Sequence, residues 1–160
     1  MGVKRILFVC TGNSCRSVMA EWLLRQALQR AGMDRIEVES AGVFAIHGMG
    51  PTRETQRVLQ DAGIDCSNHR ARTLTVEMIE QADLIFVMEQ FQGDEVLRRM
   101  PQANTKVHLL KFYGLPAGHV AGSANIPDPI GKPFEVYEVC FATIREAVER
   151  VAKSLGVPTT

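Results

Sequence analysis

Two short runs of this chain, Ile6 to Val9 and Ala82 to Met88, are apolar almost throughout instead of at alternate positions. A strand with no polar face has to be covered on both sides, and the architecture that does this is a parallel sheet sandwiched between helices. The spacing elsewhere agrees. After the first run, Ala20, Leu23, Leu24, Ala27, Leu28 and Ala31 recur at helical intervals, and Gly32 is placed to end that helix. Ile36 to Gly42 reads as a second strand. Pro51 and Gly63 bracket a helix, a short helical stretch covers Val76 to Gln81, and Lys106 to Leu110 is a fourth strand. Tyr137, Cys140, Phe141, Ile144, Val148, Val151 and Leu155 form one apolar stripe of a final helix. The expectation is an α/β fold: a doubly wound, four-stranded parallel sheet with helices on both faces, in a single domain over residues 1–160.

Eighteen basic side chains balance eighteen acidic ones. That balance offers no electrostatic case for nucleic acid or a membrane surface as partner. No apolar run is long enough to span a bilayer, and the run that follows Met1 to Arg5 is too short for the core of a signal peptide, so a cytoplasmic location is expected. Four cysteines in 160 residues are too few for a disulfide scaffold and are expected to be thiols.

Phe112 to Pro133 resists the pattern, with glycine and proline throughout and no periodicity. A loop this long in a compact domain is usually functional or disordered. It leaves the carboxyl end of the fourth strand, the rim where ligands bind in doubly wound sheets.

The same rim carries "CTGNSCRS", Cys10 to Ser17, between the first strand and the first helix. A turn in that position aims backbone N–H groups and the positive end of a helix at one point, which makes an anion site. The Walker and dinucleotide fingerprints are both missing. What remains is C-x5-R-S. A cysteine facing converging N–H groups and an arginine has its thiolate favoured, and the guanidinium of Arg16 matches two phosphoryl oxygens at once. Nucleophile and clamp around one pocket suit attack of sulfur on phosphorus, forming a cysteinyl-phosphate. Such a reaction needs a proton donor, and Asp128, held between Pro127 and Pro129, is the candidate.

With these residues in place the sequence resembles the low-molecular-weight protein tyrosine phosphatases. "FVCTGNSCRS", "SAG" at Ser40 to Gly42, "NHRAR" at Asn68 to Arg72, "ADLIFVM" at Ala82 to Met88 and "DP" at Asp128 to Pro129 carry the resemblance over nearly the whole chain. It implies that Cys10 is the nucleophile, Arg16 the phosphate clamp and Asp128 the general acid and then base. Thr11, Gly12, Asn13, Ser14 and Cys15 would bind phosphate together with Arg16 and Ser17; Ser17 would also support the thiolate, and Asn13, Ser40 and His69 would hold the loop. Phosphorylated proteins would be substrates, inorganic phosphate product and inhibitor, and no metal or organic cofactor would be used.

The departures concern the substrate. Val18 stands where the family commonly has proline. Ile130 replaces an aromatic residue beside the acid, so that Phe44 or His47 would have to flank a phosphotyrosine ring, and Ser14 replaces a common isoleucine. A small polar residue at that place resembles the bacterial protein arginine phosphatases, which makes phosphoarginine the nearest alternative to phosphotyrosine. Arsenate reductases have a similar loop, but their cysteine relay has no counterpart in the segment after the third strand. A zinc module built from Cys10, Cys15, Cys66 and His69 is the non-enzymatic alternative. A reversible Cys10–Cys15 disulfide would make the loop redox-sensitive. Cys140 reads as a small core residue, Cys66, His108 and His119 carry no assigned chemistry, and the charges of the first helix, Glu21, Arg25 and Arg30, read as a solvated face.

Overall fold

A computed structural model describes residues 2–116, 118 and 122–158; His119 lies outside them. Four parallel strands, β1 (Arg5–Cys10), β2 (Glu37–Gly42), β3 (Leu84–Val87) and β4 (Val107–Leu109), run in the order β2-β1-β3-β4. The helices are α1 (Arg16–Arg30), α2 (Arg53–Asp61), α3 (Val76–Gln81), α4 (Gln90–Arg99) and α5 (Phe134–Ser154).

Alternation along β1 divides the interior. Ile6, Phe8 and Cys10 point into the core made with α1, α2 and α5, while Leu7 and Val9 point into the core made with Ile79, Ile85, Val87 and Val96 on the other face. Every residue from Ile6 to Val9 is fully buried, as the continuous apolar run requires. Phe8 stacks on Phe86 of the neighbouring strand with ring centroids 5.5 Å apart, a pair that contributes about 1 kcal/mol beyond its burial.

Helix ends follow local chemistry. Gly32, at φ 69°, donates its N–H to the Gln29 carbonyl, and Met33 donates to Leu28, so α1 ends in a paired turn that glycine makes without strain. Thr52 and Thr75 cap α2 and α3, and Glu89 with Gln92 forms a reciprocal capping box on α4.

Helix α4 was not legible in the sequence: its ten residues bury only Gln92, Gly93 and Val96, too little for a periodic stripe. The fourth strand is short, a half-buried edge of the sheet. One expectation needs correction. Glu21 does not belong to a solvated face, because it is 5% exposed and sits beneath β2.

The long segment after β4 opens with a 3-10 turn, Leu110–Phe112, and returns to the sheet. Ile126 donates its N–H to the Met88 carbonyl and the Asn125 side chain accepts from Gln90, so the residues before Asp128 are pinned to the end of β3. This brings the predicted loop to the rim occupied by Cys10.

Candidate active site

The turn from Cys10 to Ser17 rests directly on β2. A Cβ on Gly42 would lie 2.5 Å from the Thr11 carbonyl oxygen and 3.0 Å from the Asn13 nitrogen, so only glycine permits the contact. Asn13, fully buried, takes φ 53°, a left-handed conformation that asparagine tolerates better than most residues. Its surroundings over-determine it. The carbonyl oxygen is 2.8 Å from His69 Nε2, Oδ1 accepts from the Arg72 N–H at 2.9 Å, and Nδ2 donates to Ser17 Oγ at 2.8 Å and Ser40 Oγ at 2.9 Å. Removing the Asn13 side chain deletes three hydrogen bonds worth about 1 kcal/mol each and leaves the Arg72 N–H without its acceptor.

Cys10 ends β1, 2% exposed, with its Sγ 2.9 Å from Ser17 Oγ and accepting the Asn13 N–H at 3.3 Å. Among the described residues, α1 alone of the five helices has neither a side-chain cap nor an acidic residue in its first turn. Its first N–H groups therefore remain available to an anion.

Arg16 is 1% exposed. Its Nη1 is ion-paired with Glu89 and donates to the Ile126 carbonyl at 2.7 Å, and its Nη2 lies 3.6 Å from Asp128 Oδ2. Burial penalises the guanidinium charge, but Cys10, Glu89 and Asp128 more than offset this and hold its pKa above the ordinary arginine value. Asp128 is half-buried, and its Oδ1 accepts the Ile130 N–H at 3.1 Å, a local turn that fixes the carboxyl.

Cys10, Asn13, Arg16, Ser17, Ser40, His69 and Asp128 thus come together, although they span most of the chain. Thr11 Oγ1 accepts from Gln92 Nε2 at 3.1 Å. Ser14 is buried, and Cys15 lies beneath the loop with its Sγ 3.5 Å from Thr52 Oγ1. Phe44 and Ile130 are the exposed apolar residues of the rim, at 70% and 53%. Cys66 and Cys140 stand apart from this chemistry: burial pushes their thiols up to about 11 and about 12. Among the described residues no group of three or more His, Cys, Asp or Glu is gathered to hold a metal ion, so the zinc alternative lacks its ligand cluster. Sequence reasoning missed Glu89, Gln92 and the Ile126 carbonyl, all of which brace the loop or its arginine, and Glu21, which accepts from Ser40 Oγ. The capping pattern Glu89-x-x-Gln92 is the one local signal that pointed to this corner.

Residues 5–158 match the family model described as low molecular weight phosphotyrosine protein phosphatase. The chain belongs to this family. Low molecular weight phosphatases are cysteine-dependent enzymes, and two kinds are found among the relatives. A protein-arginine-phosphatase of Geobacillus stearothermophilus is 37% identical over 94% of this chain and 95% of its own length. The low molecular weight protein-tyrosine-phosphatase Ptp of Acinetobacter johnsonii is 40% identical over 81% of this chain and 82% of its own. Among solved structures, the YwlE arginine phosphatase, as a mutant with serine in place of cysteine and a phosphorylated active-site serine, superposes with a TM-score of 0.85 at 32% identity, covering 94% of this chain and 95% of that one.

Proposed function

We propose that this low molecular weight phosphatase hydrolyses phosphotyrosine in proteins through a cysteinyl-phosphate on Cys10. The observation that carries the reading is the convergence of the Cys10 sulfur, the uncapped N-terminus of α1, the buried guanidinium of Arg16 and the Asp128 carboxyl on one pocket. The Cys10 thiolate attacks phosphorus while the loop N–H groups from Thr11 to Ser17, together with the Nε and Nη2 donors of Arg16, take the phosphoryl oxygens. Asp128 gives its proton to the departing phenolic oxygen. The resulting carboxylate then takes a proton from water as the water oxygen attacks phosphorus, releasing inorganic phosphate and restoring the thiolate. Phosphate, the product, fits the same cradle and inhibits. Positive charge comes from Arg16 and the amides, so the chemistry calls on no metal or organic cofactor.

Phosphoarginine is the second reading. Ser14, buried in the loop, puts a small polar group where an apolar side chain would pack on an aromatic ring, and relatives named as arginine phosphatases match the chain over nearly its full length. The two cores packed on one sheet support a single domain through residues 1–160. A nucleophilic thiol in a chain with four free cysteines suits a reducing compartment, and we place the activity in the cytoplasm. No helix of the described residues is long and apolar enough to cross a membrane. The deciding experiment assays native protein and Cys10→Ser on a phosphotyrosine peptide and a phosphoarginine peptide side by side, with chelator present. Turnover that survives Cys10→Ser removes the covalent mechanism; activity on phosphoarginine alone replaces the first substrate by the second.

A further inference from the structure

The N-terminus of α4 is capped by two side chains that come from different parts of the chain. Glu89 accepts the N–H of Gln92 and is ion-paired with Arg16, the phosphate clamp. Asn125 Oδ1 lies 2.9 Å from the Gln90 nitrogen, and because a backbone N–H only donates, the amide must turn its oxygen to the helix. One helix end thus carries both the residue that holds the clamp and a residue three positions before the acid, Asp128.

The chain around Asp128 is poor in ties of its own. Pro127 and Pro129 have no N–H to give. Ile126 is anchored, donating to the Met88 carbonyl and accepting from Arg16 Nη1 at 2.7 Å, yet a segment held at one residue still turns about it. The bond from Asn125 starts one residue away and ends on a different backbone group, so it stops that rotation. Among the described residues from 122 to 127, no other side chain bonds to another element. We propose that Asn125 is a positioning residue for the general acid: by capping α4 it fixes the rotation of the segment that aims the Asp128 carboxyl into the pocket beside Arg16. The inference rests on the reading of Asp128 as the acid. Cys10, Arg16 and the loop amides are untouched by the bond, so its loss loosens proton delivery and not phosphate binding.

The donor can be removed as cleanly as the acceptor. Gln90 is the first residue of α4, where proline is well tolerated, and Glu89 before it has φ −138° and ψ 154°, the extended conformation that a following proline favours. Gln90→Pro therefore deletes the N–H while the helix stands. Gln90→Ala keeps the N–H and loses only the surface contact with Asp94, which makes it the control. The test measures kcat/KM over a series of aryl phosphates, and inhibition by inorganic phosphate, for these two variants, Asn125→Ala, the double variant of Asn125→Ala with Gln90→Pro, Asn125→Asp and Asp128→Asn. Asn125→Ala and Gln90→Pro each slow phenyl phosphate by about fivefold, the worth of one hydrogen bond, and a strongly activated aryl phosphate by less than about twofold, with phosphate inhibition unchanged. The double variant is no slower than either single one, Gln90→Ala matches native protein, and Asn125→Asp, which keeps the acceptor, recovers the native dependence on leaving group. Equal slowing of all substrates, additive losses in the double variant, or an Asn125→Asp no better than Asn125→Ala overturns the proposal. If Gln90→Pro does not fold, the steeper dependence in Asn125→Ala and its recovery in Asn125→Asp decide alone. Asp128→Asn separates the two claims: an unaltered leaving-group dependence there overturns the reading of the acid, whereas a steep one beside a native Asn125→Ala overturns the positioning role only.

Discussion

Glu89, the residue that caps α4, is ion-paired with Arg16, the residue that opens α1. The pair joins the end of β3 to the phosphate clamp and holds the guanidinium before any ligand arrives. Glu89→Gln keeps the cap's shape but weakens the pair, and Glu89→Ala removes both. Losing one partner of a buried pair leaves Arg16 charged and less well placed, so kcat/KM should fall by about 10-fold for the glutamine and about 100-fold for the alanine variant. Steady-state kinetics on an aryl phosphate checks this, and values within twofold of native would show that Arg16 holds itself.

Asp128 should matter in proportion to how badly the leaving group needs a proton. Asp128→Asn is expected to slow phenyl phosphate by about 100-fold or more while slowing a strongly activated aryl phosphate far less. A plot of log kcat/KM against leaving-group pKa becomes steeper in the variant. Parallel lines would give the proton to another group.

Ser14 is the test of substrate class. Isoleucine at this position adds apolar area beside the phosphate, worth about 1 kcal/mol against an aromatic ring. Ser14→Ile should therefore raise the phosphotyrosine to phosphoarginine ratio of kcat/KM by about fivefold. An unchanged ratio assigns selectivity elsewhere, with Phe44 and Ile130 the next residues to replace.

Peroxide should convert Cys10 to its sulfenic acid, which the Cys15 thiol then condenses with to form a disulfide and water. Peptide mapping after mild oxidation should find the intraloop disulfide in native protein, and Cys10 sulfinic acid in Cys15→Ala. Sulfinic acid as the main native product would leave Cys15 with a packing role alone.

Cys66 and Cys140 predict how the fold responds to alkali. Both thiols keep their protons in the folded protein up to about 11 and about 12, whereas in the unfolded chain they ionise near 9. The folded state then binds more protons, so stability is intact below pH 9 and declines as pH rises toward 12, by on the order of a few kcal/mol for the two together. Urea midpoints measured from pH 8 to 11 should fall, and Cys140→Ala should flatten part of that fall despite its lower starting value.

What could be read from the sequence followed from periodicity and local chemistry. The strands at Ile6 and Leu84, the stripe from Tyr137 to Val151 and the stop at Gly32 each rest on a pattern within a few residues. The nucleophile, its arginine and the distant Ser40, His69 and Asp128 were legible only as motifs in a known order, since no spacing rule connects them. Glu89 stayed hidden because its contact with Arg16 crosses 73 positions, and a glutamate before a helix has an ordinary capping role. Glu21 was misplaced for a different reason. Its spacing to Arg25 is that of an exposed helical ion pair, and nothing in a helix's own sequence tells which polar residue will lie under a neighbouring strand.

Strand β1 is flanked on both sides, by β2 and β3, and the phosphate loop grows from its last residue. To open the loop's backbone, the molecule has to part its central strand, so local breathing here carries nearly the free energy of whole-chain unfolding. Amide hydrogens of Phe8, Val9 and Asn13 should exchange with solvent among the slowest in the protein. A phosphoryl group entering this cradle finds its donors already immobilised and surrenders little to ordering them, while evolution, for its part, gains new substrates more easily by altering Phe44 and Ile130 on the rim than by remodelling the turn beneath.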